Sequence, residues 1–352
     1  MSRTAREYVV LGGAALVLLV AANPTPAQTS VVPHQPVVGA KDMYVYLADF
    51  ADAQVPCSLD EVENAANQVA SFYTTYSFGQ LTMTARLLTN PESPDGHFHV
   101  DHPCSDLLTD TERYDVELWD AIKAATGVDI PGLASSGAKI VKEHACFRGG
   151  SAGLGSPYAQ VGRCWDAALL AHEVGHTLGV AHASKNRPPG STRGEYGDRE
   201  VMGHGGLVTE LNAPHRMQLG WIPEGCIQTA TSSTELVLSA LDATPVDGGG
   251  CSAPTVVRIP KSADLVDSLM FKDFFYLSLI GGRVNVHGVE LSPYDVNADQ
   301  LLFGNTLYMG RKPATSGQYR DKTGRFSFVS ASTTPDQAHL TIDICSILLD
   351  SL

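Results

Sequence analysis

In the stretch "LLAHEVGHTLGVAH", residues 169–182, three histidines and one glutamate interrupt an otherwise apolar segment. His172 and His176 stand four residues apart, so on a helix both imidazoles leave the same face one turn apart. Two neutral imidazoles so placed can hold one Zn²⁺ at about 2.0–2.1 Å. Glu173 directly follows the first of them, where it can take the proton of a zinc-bound water. Gly179 can adopt positive φ, end the helix and turn the chain, and three residues later His182 returns to the same ion. Three protein ligands leave a coordination position open, as a catalytic zinc site requires. The bland alternatives are three satisfied core histidines or a purely structural zinc site. Five specified residues coinciding argues against the first, and Glu173 argues against both, because a structural site needs no base.

The elements that must position these groups are legible on both sides. "WDAALLAHEVGHTL" reads as the helix that carries His172 and His176. Upstream, "MYVYLAD" from Met43 reads as a buried strand, followed by a helix in which Val62, Ala66, Val69, Tyr73 and Tyr76 recur at helical spacing. Gly79 supplies a turn before a strand in which Leu81, Met83 and Ala85 alternate with polar neighbours. "YDVELWDAIKAAT" reads as a second helix ending at Gly127, and "AKIVKEHA" as another strand. "GGSAGLGSPYAQVG" has strand-like ends and suits an edge strand that could bind an extended peptide by backbone hydrogen bonds. "LNAPHRMQLG" reads as a helix capped by Asn212 and stopped by Gly220, with His215 structural. After about Cys226 the pattern becomes short strand-like runs between turn signals: "TELVLSAL", "TVVRIP", "FFYLSLI", "RFSFVSAS", "AHLTIDIC". The histidines of "HFHVDH", His97, His99 and His102, read as a surface loop, an accessory metal site being the other reading.

Composition narrows the class. A net charge of −14 argues against an electrostatic grip on nucleic acid or anionic lipid. Residues 1–27 read as a secretory signal peptide: Arg3 and Arg6 precede an apolar run from Val9 to Ala22, with cleavage expected after Ala27. That run, about 14 residues, is shorter than the roughly 20 needed to span a bilayer, so an uncleaved membrane anchor is the lesser reading and no stable membrane insertion is expected. Export agrees with seven cysteines beyond the signal and no CxxC pair: most should form disulfides, with one left over. Closeness in the chain favours Cys57–Cys104 and Cys146–Cys164. The expected organisation is signal peptide 1–27, leader 28–41, catalytic domain 42–225 and β-rich domain 226–352.

The motif HExxHxxGxxH is the metzincin signature, which next demands a methionine in a tight turn. "EYGDREVMGHGG" offers Met202, 20 residues after His182, with Gly203 to allow the turn. Taken with "LNAPHRMQLGWI", "YLADFADAQVPCS" and "YTTYSFGQLTMTARLL", the chain resembles the gametolysin family of secreted metzincin zinc peptidases, well over residues 43–225 and loosely beyond. The resemblance implies an α/β (α+β) metzincin-like domain followed by a β-rich domain. It makes His172, His176 and His182 the ligands of one catalytic Zn²⁺ and Glu173 the general base. It implies a metalloendopeptidase acting on extracellular or cell-wall proteins, its partner a protein or peptide substrate. His204, two residues after Met202, stands where some metzincins have a tyrosine, and is a candidate contact to the scissile carbonyl or its oxyanion. Two rival readings keep the scaffold: a zinc amidohydrolase on a non-peptide amide, and an inactive exported binding or adhesion protein.

Overall fold

Alternation along the first strand sets the architecture. In β1 (Gly39–Phe50), Met43, Val45 and Leu47 point into one apolar cluster while Tyr46 and Ala48 point into another, so the strand must be covered on both faces. The computed structural model describes residues 36–107, 111–164, 166–185, 197–203, 210–242, 251–268, 271–290 and 305–345. The expected signal peptide, most of the expected leader, and His204 lie outside the described residues. Among the described residues no helix is long and apolar enough to cross a membrane.

The chain then runs α1 (Leu59–Tyr76), β2 (Leu81–Leu88), β3 (Phe98–Val100), α2 (Cys104–Leu107), α3 (Thr111–Thr126), α4 (Ile130–Ser135), β4 (Lys139–His144), β5 (Gly150–Ala152), β6 (Tyr158–Val161) and α5 (Ala167–Leu178). The first sheet has the order β2-β1-β4-β6-β5, with β3 alongside the end of β1. Its pairings are parallel except for β5, which lies antiparallel to β6 at the edge. Helices α1 and α5 cover one face through Val62, Val69, Leu170 and Val174. Helix α3 covers the other with Tyr114, Leu118 and Ile122. Ser58 and Glu61 form a reciprocal capping box at the start of α1, which fixes where that helix begins. The leader expected to reach residue 41 gives way to β1 at Gly39, because backbone pairing of Gly39 with Leu81 extends the strand past its apolar stretch.

The remaining elements are β7 (Ala183–Lys185), α6 (Ala213–Gln218), β8 (Ile227–Thr229), β9 (Thr234–Ser239), β10 (Val256–Pro260), β11 (Phe274–Ile280), β12 (Arg283–Glu290), β13 (Asn305–Pro313), β14 (Gln318–Arg320), β15 (Phe326–Thr334) and β16 (Gln337–Ile344). They form a sheet of order β7-β13-β12-β11-β10-β8 and a second of order β14-β15-β16-β9. The two share one apolar core, in which Leu238, Leu340 and Phe328 meet Val257, Leu277 and Val286. The architecture is therefore mixed α/β, with a β-rich second part. β7, the first strand after His182, pairs in parallel with β13, so the β-rich part reaches back to the histidine segment.

The disulfides correct the pairing expected from chain proximity. Cys57 is joined to Cys164 and Cys104 to Cys146. The layering explains the exchange. Cys57 and Cys164 lead into α1 and α5 and belong to the cluster on that face, whereas Cys104 and Cys146 border the cluster on the α3 face. Each bridge staples one face of the sheet. Cys226 pairs with Cys251, and Cys345 is the free thiol.

Candidate metal centre

Helix α5 is built to hold its histidines at a fixed height. Asp166 caps its first turn by accepting from the Leu169 N–H. At the other end Gly179 sits at φ 102, and its N–H and that of Val180 return to the carbonyls of Gly175 and His176. The buried Lys139 ammonium donates to the Thr177 carbonyl in the same last turn. The chain leaves Gly179 along Val180 and Ala181, and the imidazole of His182 meets the other two.

The Nε2 atom of His176 lies 3.1 Å from Nε2 of His172 and 3.1 Å from Nε2 of His182. The Nδ1–H of His172 donates to the Val201 carbonyl and that of His176 to the Val180 carbonyl, both at 2.9 Å. Those two bonds place the protons on Nδ1, so both facing Nε2 atoms present lone pairs and cannot bond each other. Burial first, then repulsion from neighbouring imidazoles, pushes His176 down to about 3 and His182 down to about 4. His172 is lowered mainly by burial. Neutral imidazoles with converging lone pairs are what a cation needs. Donors of a tetrahedral zinc site stand about 3.3–3.4 Å apart, given bonds of 2.0–2.1 Å. The three groups could hold a metal ion, and their spacing fits one.

Glu173 is buried, and its Oε2 has no hydrogen-bond partner among the described residues. Burial raises its carboxyl to about 8. A Cβ on Gly150 would fall 2.3 Å from Glu173 Oε1, so the bare backbone of the edge strand lies directly against this carboxyl. The expected edge strand is thus β5, at the rim of the sheet and next to Glu173.

Met202 is fully buried in a turn closed by the Gly203 N–H to the Glu200 carbonyl. A Cβ on Gly175 would lie 2.3 Å from Met202 Sδ and 2.8 Å from Tyr73 Oη. The methionine therefore packs against the helix between His172 and His176, while the preceding Val201 carbonyl orients His172. Gly175→Ala is expected to destabilise the fold by about 1–3 kcal/mol through overpacking. Tyr73 cannot retreat, since its Oη donates to the Ala171 carbonyl at 2.6 Å. A shifted urea midpoint at unchanged slope measures it; an unshifted midpoint would mean that Met202 has room to move.

A polar frame that no sequence motif announces lies beneath the turn. Helix α6 begins where expected, with Asn212 accepting from the His215 N–H and Gly220 at φ 74 after its end. His215 is wholly buried, its Nδ1 2.8 Å from Glu200 Oε1 though out of line for a hydrogen bond, while Glu200 Oε2 accepts from the Asn212 N–H. Asp198 pairs with His287 on β12 at 3.1 Å. The Asn212 side chain donates to Thr306 on β13, whose own N–H donates to the His182 carbonyl. The Asp198–His287 and Asn212–Thr306 partners lie about 90 residues apart in sequence, where no local spacing could reveal them. They tie the turn and the third histidine to the β-rich part.

The cluster expected as a surface loop is only partly one. Phe98–Val100 is strand β3, and His97 is buried against Asp49. His99 remains exposed.

No protein-family model matches this chain, and no curated protein matches it. Among solved structures the chain is similar to catalytically inactive OgpA from Akkermansia muciniphila in complex with an O-glycopeptide (glycodrosocin) substrate, at 12% identity and TM-score 0.30, over 91% of this chain and 98% of that one. A likeness of that degree carries neither fold nor function across.

Proposed function

We propose that this chain is a secreted zinc-dependent metalloendopeptidase of metzincin type, in which His172, His176 and His182 hold the ion and Glu173 is the general base. The reading rests on one observation: the Nε2 atoms of His172 and His182 each stand 3.1 Å from that of His176, with the Nδ1 protons of His172 and His176 engaged by backbone carbonyls, beside a buried carboxyl. The gametolysin-like motifs, Met202 packed under Gly175 and the place of β5 at the sheet's edge among the described strands support it. The same proposal takes residues 1–27 as a cleaved signal, 42–225 as the catalytic part and 226–352 as a β-rich part that braces it. His204 is proposed to contact the carbonyl oxygen of the substrate.

When bound, the ion supplies Lewis acidity that polarises the scissile carbonyl and makes water acidic enough to attack at neutral pH. The residues do the rest. An extended peptide pairs its backbone with β5, which brings a peptide bond past Gly150 to the Glu173 carboxylate. Glu173 takes one proton from the attacking water and returns it to the nitrogen of the departing amine. Burial makes this carboxylate a stronger base than an exposed one, because the charged form is poorly solvated.

Chelation of the purified mature chain should abolish cleavage of an unfolded protein, and added Zn²⁺ should restore it. His176→Ala should lack both the activity and its recovery by zinc. Undiminished cleavage by the chelated protein, or by His176→Ala, would sink the reading. Zinc-dependent hydrolysis of small amides without any cleavage of unfolded protein would favour the amidohydrolase instead.

A further inference from the structure

We infer that a second divalent-cation site, made of residues other than the three-histidine centre, lies where β3 runs beside the end of β1, with Asp49, Asp95, His97 and His99 as its donors. Register places His99 directly opposite Asp49. Asp49 Oδ2 is 3.0 Å from His97 Nδ1 and 3.6 Å from His99 Nδ1, and Asp95 Oδ2 is 4.0 Å from His97 Nδ1. Ligand atoms of Asp49, Asp95 and His97 all fall within 4.8 Å of one another. Donors around a tetrahedral ion stand about 3.3–3.4 Å apart, so Asp49, His97 and Asp95 close on one cation with a small rotation of the exposed Asp95, and the exposed ring of His99, its Nδ1 already near Asp49 Oδ2, turns in as the fourth donor.

The carboxylates are oriented as metal ligands are. Asp49 Oδ1 accepts from the Val55 N–H at 2.6 Å, which leaves Oδ2 to face the imidazoles. Asp95 Oδ1 accepts from Ser93 Oγ and from the His97 N–H, which leaves its Oδ2 on the same side. Each carboxylate thus has one oxygen fixed by its surroundings and one turned to the shared point, the outer-partner pattern that steers ligands in metal sites. The loop is held in place as well: Gly96 sits at φ +77, where an added Cβ would come 2.7 Å from Leu59 of α1. A cavity of ≈ 530 Å³, lined by Asp49, Asp95, His97 and residues 54–60, gives access.

Without a cation, the buried Asp49 carboxylate has an imidazole as its chief side-chain partner, a weak counter-charge for so buried a group. Two imidazoles with two carboxylates suit Zn²⁺ or a neighbouring transition ion, and disfavour Ca²⁺ and Mg²⁺, which take oxygen donors. Bound there, the ion would staple the loop before β3 to β1 and to the start of α1. It would stabilise the fold and take no part in hydrolysis.

The test counts zinc by mass spectrometry after dialysis against Zn²⁺ and passage over a weak chelating resin. The full chain should hold about two ions, and Asp95→Asn/His99→Ala about one, with both exposed side chains removable without unfolding. His176→Ala should keep about one ion, and its melting temperature should rise on adding Zn²⁺, a rise that disappears when the two replacements are combined with it. Equal zinc content in wild type and Asp95→Asn/His99→Ala would overturn the inference. So would a His176→Ala protein whose melting temperature ignores Zn²⁺.

Discussion

Glu173→Gln is expected to lower peptide hydrolysis by about 10²–10⁴-fold, the usual contribution of a positioned proton carrier, with metal content unchanged. The substitution keeps volume and shape where space is scarce, since the backbone of Gly150 lies against the carboxyl. Glutamine cannot take a proton from water or hand one to a departing amine, so both halves of the proton transfer fail together. The imidazoles are untouched, because their orientation comes from the Val201 and Val180 carbonyls and not from Glu173. Rates on an unfolded protein substrate, measured beside zinc content, separate the cases. A rate within a few-fold of wild type would remove Glu173 from the mechanism. Loss of zinc along with activity would make it a structural support of the centre.

Removing the Cys57–Cys164 bridge as a double serine variant is expected to cost the largest share of stability of any single change. The bridge closes a span of 107 residues, for which loop-closure entropy gives about 4.8 kcal/mol, against about 3.9 kcal/mol for the 42-residue span of Cys104–Cys146. Measured losses on removing native bridges fall around 2–5 kcal/mol, a large part of the 5–15 kcal/mol that holds a typical domain together. Location matters too. Cys164 stands just ahead of α5, so its release loosens the start of the helix that carries His172 and His176. Urea unfolding of the two double variants gives the ranking. Equal midpoints would show that the unfolded chain is already compact across the longer span. Peptide mapping under non-reducing conditions checks the pairing itself.

How far the sequence carries is visible in individual residues. His172, His176 and Gly179 were legible because helical geometry is local: a spacing of four puts two side chains on one face, and a left-handed cap admits glycine without strain. His182 followed from the same local turn. Helix α6 was legible for the same reason, from Asn212 and Gly220 at its two ends. Of the strand-like runs after Cys226, "AHLTIDIC" gives β16, whose alternating burial suits a sheet covered on one face, whereas "FFYLSLI" gives β11, a continuous apolar run buried on both faces.

The sequence by itself therefore determined the local elements, the helix that presents two imidazoles, and the chemistry those residue types can do. Tertiary structure alone decided the disulfide partners, the seat of Met202 against Gly175, the Asp198–His287 and Asn212–Thr306 ties, and the meeting of Asp49 with His97. The reason is physical. Spacing along the chain reports a side chain's direction within one element, whereas contacts between elements depend on which faces pack and in what register, and neither is written in any short stretch of residues.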